Sequence, residues 1–128
     1  VNAVNGSVTP GGFDAAYLVR NRGVPLGSAE TGTVYVVMHS ARFAAAPGNL
    51  VIDPASGVST VAVGDTITIG GRQYVADAAW SVARSRLPRE QQVWTDAPGR
   101  LVIITCMQNA QATPATENAI VTARLVDS

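Results

Sequence analysis

Cysteine, lysine, aromatic residues and long apolar runs are all scarce in this chain of 128 residues. A single cysteine excludes an internal disulfide and a metal site built from several thiolates. Lysine is absent, so nine arginines carry all the basic charge and balance nine acidic residues. Without a basic run, and with only 5% aromatic residues, nothing indicates a nucleic-acid partner. No apolar run approaches the roughly 20 residues that span a bilayer.

What the chain does have is a high apolar content, because 47% of its residues are hydrophobic and only 14% are charged. A chain of this length and composition is expected to fold as one globular domain over residues 1–128. Glycine and proline separate short runs rich in Val, Ile and Thr, a pattern typical of β-strands. Many short strands in one small domain predict an all-β fold, a closed or nearly closed barrel.

Four segments carry the strand prediction. A short apolar run at 33–38 and another at 100–105 indicate strands buried on both faces. Residues 65–77 alternate on both sides of Gly70-Gly71, which predicts a hairpin with a two-residue loop. Residues 118–126 form the last predicted strand. Other segments are less decided: residues 14–20 fit either a short helix or a strand, and residues 43–64 and 81–99 resemble loops.

The only histidine and the only cysteine each follow a predicted buried strand. His39 follows the apolar run at 33–38, and Cys106 follows the one at 100–105. Side chains at such strand ends reach solvent from a rigid backbone, and reactive groups are favoured there. Cysteine attacks as the thiolate, which a nearby imidazole promotes. A buried core thiol is the plain alternative, because free cysteine often packs as a small apolar residue.

Asn118 is a third candidate by geometry. If the last two strands form an antiparallel hairpin, the residues that flank its loop, Cys106 and Asn118, face each other. An amide at that place can donate a hydrogen bond to a substrate carbonyl or to a developing oxyanion. The competing interpretation is an asparagine that closes the turn by binding its own loop backbone.

Three segments in this order resemble the sortases, the cysteine transpeptidases of Gram-positive cell surfaces. They are "VYVVMHS" around His39, "VGDTI" at 63–67 and, most specifically, "IITC" ending at Cys106. The likeness extends from about Phe13 to Val126. Met38 departs from the family, which often has glycine before the histidine. The resemblance implies a closed eight-stranded β-barrel, with short helices or turns in its connections.

The resemblance also implies a mechanism. Cys106 would attack the Thr–Gly amide of an LPxTG-like sorting signal, form a thioester and pass the acyl group to an amine. His39 would protonate the leaving amine and later deprotonate the incoming one. Thr105 would line the site through its backbone or hydroxyl. The partners would be a sorting-signal peptide of a surface protein or pilin and an amine acceptor such as a peptidoglycan precursor, at the extracellular face of the membrane. Attachment would need an anchor that this chain does not contain.

One position departs from the family pattern. Sortases usually carry an arginine at the start of the last strand, where this sequence has Asn118. Arg124 lies six residues further on, roughly 20 Å away in a strand, and cannot substitute. Either Asn118 supplies the hydrogen bond or a loop arginine (Arg42, Arg84 or Arg86) does. We interpret the chain as a divergent subtype, and the alternative is a catalytically impaired barrel that binds peptide or cell wall.

The connection at 81–99 occupies the position of the substrate-recognition loop of the family. Apolar residues in it could wall a groove for the Leu-Pro part of a signal: Val82, Leu87, Val93 and Trp94. The alternative is a surface loop whose tryptophan packs over one end of the barrel. Calcium-binding members of the family use clustered acidic loops. The acidic residues here are scattered, so neither a metal nor another cofactor is predicted.

Overall fold

The computed structural model describes residues 17–19, 21–39, 52–53, 58–59, 61–69, 71–83, 85–106 and 117–126. Eight strands lie in these ranges: β1 Tyr17–Leu18, β2 Thr33–His39, β3 Ile52–Asp53, β4 Val58–Ser59, β5 Thr66–Ile69, β6 Arg72–Ala83, β7 Arg100–Cys106 and β8 Glu117–Leu125. Between them are 3₁₀ turns over Leu26–Thr31 and Leu87–Arg89, and one short helix, α1, at Gln91–Trp94. The all-β prediction is confirmed. No helix in the described ranges is both long and apolar enough to cross a bilayer.

Six strands form one sheet in the order β1-β2-β7-β8-β6-β5, and β3 pairs separately with β4. Strands β2 and β7 run parallel, and the other neighbours are antiparallel. Both parallel strands are buried over residues 33–38 and 101–105, as their near-continuous apolar sequences predicted. The predicted closure of eight strands into a barrel is not what the described residues display. Within them β1 and β5 form the two edges of the sheet.

The hairpin between β5 and β6 confirms the Gly-Gly prediction. Ile69 pairs with Arg72, so the loop has two residues. Gly71 in this loop has a φ of +79°, a left-handed conformation that glycine adopts without the strain of a Cβ atom. The helical alternative for residues 14–20 is wrong where the structure describes it, because Tyr17–Leu18 pairs with β2 as an edge strand.

Side chains on the two faces of the sheet form two apolar clusters. We call face 1 the side with Val19, Tyr35, Val37, Val82, Leu87, Val93, Val102, Ile104 and Ile120. Face 2 is the side with Ala29, Val34, Val36, Met38, Tyr74, Ala76, Leu101, Ile103, Val121 and Ala123. The alternation of strand residues explains this division, since successive side chains point to opposite sides.

A β-bulge in β6 changes which of its residues reach face 1. The pairing with β8 shifts between Ala76 and Ala78, so the residue between them has no cross-strand partner. Ala76 belongs to face 2, whereas Trp80 and Val82 pack on face 1. The carboxylate of Asp77, the extra residue, accepts a hydrogen bond from the Thr122 hydroxyl at 2.5 Å. The bulge therefore redirects the second half of β6 toward the face that the β6–β7 connection covers.

Candidate active site

One row of residues crosses the sheet at the end of its parallel strands. His39 pairs with Cys106, Cys106 pairs with Asn118, and Asn118 pairs with Val82. Because β2 and β7 are parallel and pair in register, both strands end on the same side of the sheet, where β8 begins. Neighbouring strands lie about 4.8 Å apart, so the backbones of His39 and Cys106 are adjacent. The predicted pairing of Cys106 with Asn118 across the last hairpin is confirmed.

The described neighbours of this row belong to face 1. Val37 and Ile104, two residues before His39 and Cys106, both belong to the face 1 cluster. Asn118 is 2% exposed and lies beside Val82 of the same face. Backbone geometry thus brings the three candidate catalytic positions together at the rim of one apolar surface. The side chains of His39 and Cys106 lie outside what the structure describes, so their catalytic roles stay predictions.

Thr105 lies on the opposite side of the sheet from this row. It pairs with Met38, a face 2 residue, and follows Ile103 of the same face. Its side chain is fully buried. The predicted role for its hydroxyl is therefore at odds with the structure, because neighbours in a strand point to opposite faces. Only the backbone of Thr105 reaches the candidate site.

The predicted wall residues divide into core and surface. Val82 belongs to β6, not to the connection, and Leu87 is 1% exposed, so both are interior residues of face 1. Trp94 is only partly buried and packs against them. Its indole N–H donates to the Leu87 carbonyl at 2.8 Å, and its ring lies 5.2 Å from that of Tyr35. Val93 is fully buried as well, so of the four predicted wall residues Trp94 alone has surface to offer a ligand.

A shallow groove that no sequence pattern indicates lies on face 1, beside the β6–β7 connection. It has a volume of about 470 Å³ and is lined by Ala78, Trp80, Gln92, Thr95, Ala97, Arg100 and Thr122. Its floor comes from β6 and β8, and its wall from α1 and the residues that follow. Trp80 pairs with Ile120, the second residue of β8 after Asn118. The groove therefore begins near the candidate row and leads away from it.

The arginine alternatives to Asn118 are only partly described. Arg42 and Arg84 lie outside the described residues. Arg86 is exposed in the turn after β6, and its N–H donates to the Ala83 carbonyl at 2.8 Å. Ala83 pairs with Glu117, next to Asn118. The backbone of Arg86 is thus near the strand ends where the row lies.

Two ionisable groups away from the row have shifted pKa values. Burial raises the pKa of the Tyr35 phenol, and the nearby guanidinium of Arg100 opposes this only in part. The pKa of exposed Glu30 is lowered, mainly because Arg72 donates a hydrogen bond to its carboxylate at 2.8 Å. Tyr35 therefore stays neutral at physiological pH and acts as an apolar partner for Trp94.

No protein-family model and no curated protein matches this chain. Its fold, in contrast, is similar to that of several solved sortases. Sortase A of Listeria monocytogenes matches 88% of this chain and 68% of its own, with a TM-score of 0.61 and 17% identity. A lid mutant of Corynebacterium diphtheriae sortase A matches 88% of this chain with a TM-score of 0.60 and 22% identity. Streptococcus agalactiae sortase C1, in complex with MTSET, matches the same share with a TM-score of 0.59 and 18% identity.

These similarities define the class of fold. The described sheet, with its parallel pair β2–β7 and the antiparallel β8 beside it, is sortase-like. At 17–22% identity the likeness concerns the fold alone. The chain spans 56% of the Corynebacterium protein and 54% of the Streptococcus protein, so it corresponds to only part of each.

Proposed function

We propose that this chain is the catalytic core of a sortase-type cysteine transpeptidase, with Cys106 as nucleophile and His39 as general acid and base. The observation that supports this most is the register of the sheet. In a sortase-like fold, the only histidine and the only cysteine are direct neighbours at the ends of two parallel strands. Chance placement in a chain of this length would rarely pair the two residues that such chemistry needs.

The proposed reaction has two halves. The Cys106 thiolate attacks the carbonyl carbon of the Thr–Gly amide in an LPxTG-like signal. As the carbon–nitrogen bond breaks, the His39 imidazolium gives its proton to the leaving amine, and a thioester remains. An incoming amine then attacks the thioester carbon, loses its proton to His39 and releases the thiolate. The product is a new amide, and the enzyme returns to its starting protonation state.

Asn118 is proposed to donate the hydrogen bond that the oxyanion requires. It pairs directly with Cys106 and is held by a buried strand, which fixes its position. Arg86, whose backbone lies near the strand ends of the candidate row, is proposed as the cation that holds the substrate in place of the usual arginine. A neutral amide stabilises an oxyanion less than a guanidinium does, so we expect slow turnover compared with arginine-containing enzymes.

The proposed substrates follow from the same resemblance. They are a sorting-signal peptide of a surface protein or pilin and an amine acceptor such as a peptidoglycan precursor, at the cell surface. Barrel closure by strands beyond the described sheet belongs to the same proposal. The second candidate function is a catalytically impaired barrel that binds peptide or cell wall. Asn118 in the position of an arginine is the observation that favours it.

Incubation with sorting-signal peptides and an amine acceptor separates the two functions. The parent protein is mixed with each peptide, and intact mass is measured before and after the acceptor is added. The proposal predicts an acyl adduct on the parent, its absence in Cys106→Ala, and peptide–amine product in proportion. Peptide binding without adduct or product, equal in the parent and in Cys106→Ala, would support the binding module and contradict the transpeptidase.

A further inference from the structure

We infer that Arg100 is a positioning residue for the β6–β7 connection (residues 85–99), which it holds in one place as a preformed wall of the groove on face 1. The inference rests on the proposed function for its effect on substrate, but not for its effect on the connection itself. Arg100 is the first residue of β7, six residues before Cys106. At about 3.3 Å per residue it is roughly 20 Å from the proposed nucleophile.

The guanidinium of Arg100 binds backbone carbonyls of the connection. One of its terminal nitrogens donates to the Thr95 carbonyl at 2.5 Å and to the Val93 carbonyl at 3.2 Å, and the other donates to the Gln92 carbonyl. These acceptors lie in and just after α1, where the last carbonyls of a helix have no intrahelical partner. A cation is favoured there, because those carbonyls carry partial negative charge.

A second set of contacts ties the same segment to β2. The Thr33 N–H donates to the Asp96 carboxylate at 2.6 Å, and the Ala97 N–H donates to the Thr33 hydroxyl at 2.8 Å. Thr33 is fully buried and pairs with Arg100 in the parallel register. Thr33 and Arg100, which are paired on neighbouring strands, therefore both bind the end of the connection, through side-chain and backbone hydrogen bonds.

The segment held in this way carries the residues that pack on face 1. Val93 is fully buried, and Trp94 lies against Tyr35 with the Arg22 guanidinium 5.0 Å from its ring. A hydrogen bond to a charged group is stronger than a neutral one, so two of them on this short helix and a third just after it restrict its movement. Trp94, the wall residue with exposed surface, thus has a fixed position before any substrate arrives, which lowers the ordering cost of binding.

Replacement of Arg100 tests this through the position of Trp94. Trp80→Phe leaves Trp94 as the only tryptophan of a chain that has two. In that background we compare the parent with Arg100→Met, Arg100→Lys and Arg124→Met. Arg124 is the matched control: it pairs with Arg100 from β8 and is exposed. Acrylamide quenching of Trp94 fluorescence, KM and kcat for a sorting-signal peptide, and the iodoacetamide rate of Cys106 are measured for each.

The expected result is a split between binding and chemistry. Arg100→Met should increase Trp94 quenching at least about threefold and raise KM about tenfold, with kcat and the Cys106 rate within about twofold of the parent. Arg100→Lys should fall between, because an ammonium cannot reach all three carbonyls as a planar fork does, and it stands in if the methionine variant fails to fold. Arg124→Met should match the parent.

Equal quenching in the Arg100 and Arg124 variants would overturn the inference. So would a fall in kcat without a change in KM, which would assign Arg100 to the chemical step. The quenching comparison needs no turnover, so it decides the positioning role even for a chain without transpeptidase activity. Failure of the proposed function would appear separately, as a parent that forms no acyl adduct.

Discussion

Whether Leu87 is a core residue or a groove wall can be tested by its truncation, because loss of a core side chain lowers the free energy of unfolding by a known range. The sequence alone suggested that Leu87 lines a peptide groove, whereas the structure buries it in face 1, with its carbonyl bound by Trp94. Leu→Ala changes in well-packed cores cost about 2–5 kcal/mol, from lost burial and the cavity left behind. That is a large part of the roughly 5–15 kcal/mol that stabilises a typical domain.

Urea unfolding followed by circular dichroism measures this loss. With a slope of about 1–3 kcal/mol per molar urea for a small protein, Leu87→Ala should lower the midpoint by about 1 M or more. Val63→Ala is the control, because Val63 is 72% exposed and its truncation should change stability by no more than about 0.5 kcal/mol. If Leu87→Ala had the same midpoint as the control but bound peptide more weakly, Leu87 would be a surface wall and the core assignment would be wrong.

Two further predictions concern Gly23, in the connection between β1 and β2, and Tyr35 of β2. Gly23→Ala should cost more than about 2 kcal/mol, because φ is +67° and the new Cβ would lie 1.9 Å from the Thr33 carbonyl oxygen. Gly71→Ala, with φ of +79° and open space, should cost about 1 kcal/mol, and the reverse order in thermal melts would contradict this packing. Burial raises the pKa of Tyr35, so the folded state favours the neutral phenol. This contribution to the free energy of unfolding should be complete below the unfolded pKa of about 10 and be lost as the pH rises through the higher folded pKa. Tyr35→Phe should weaken the alkaline fall in unfolding free energy, and an unchanged fall would refute the assignment.

The strands with a clear local pattern could be predicted from the sequence. Apolar runs identified β2 and β7, and Gly70-Gly71 identified the hairpin of β5 with β6. The pairing of Cys106 with Asn118 was also predictable, because strands that are consecutive in sequence usually lie next to each other. The parallel pairing of β2 with β7 has no local signature, since more than 60 residues separate the partners. Only the family resemblance suggested that His39 and Cys106 meet.

The second half of β6 and the fixed connection could not be predicted. The bulge at Asp77 interrupts the alternation, and the alanines that follow have little preference for strands, so the predicted strand stops at residue 77 and residues 81–83 resemble a loop. That is why Val82 was placed in the connection. The contacts of Arg100 with carbonyls and of Thr33 with Asp96 are tertiary, and no spacing in the sequence indicates them. Leu87 and Val82 look like any apolar loop residues until the sheet beneath them is known.

If Cys106 is a nucleophile that His39 activates, its alkylation rate in the folded protein will depend on His39. Iodoacetamide labelling of the folded parent is followed by intact mass across pH 5–9, beside His39→Ala and the parent in urea. Since the thiolate is the reactive form, we expect rapid labelling of the folded protein near neutral pH and a large loss of rate in His39→Ala. A Cys106 that labels only after unfolding, or at the same rate without His39, would contradict it.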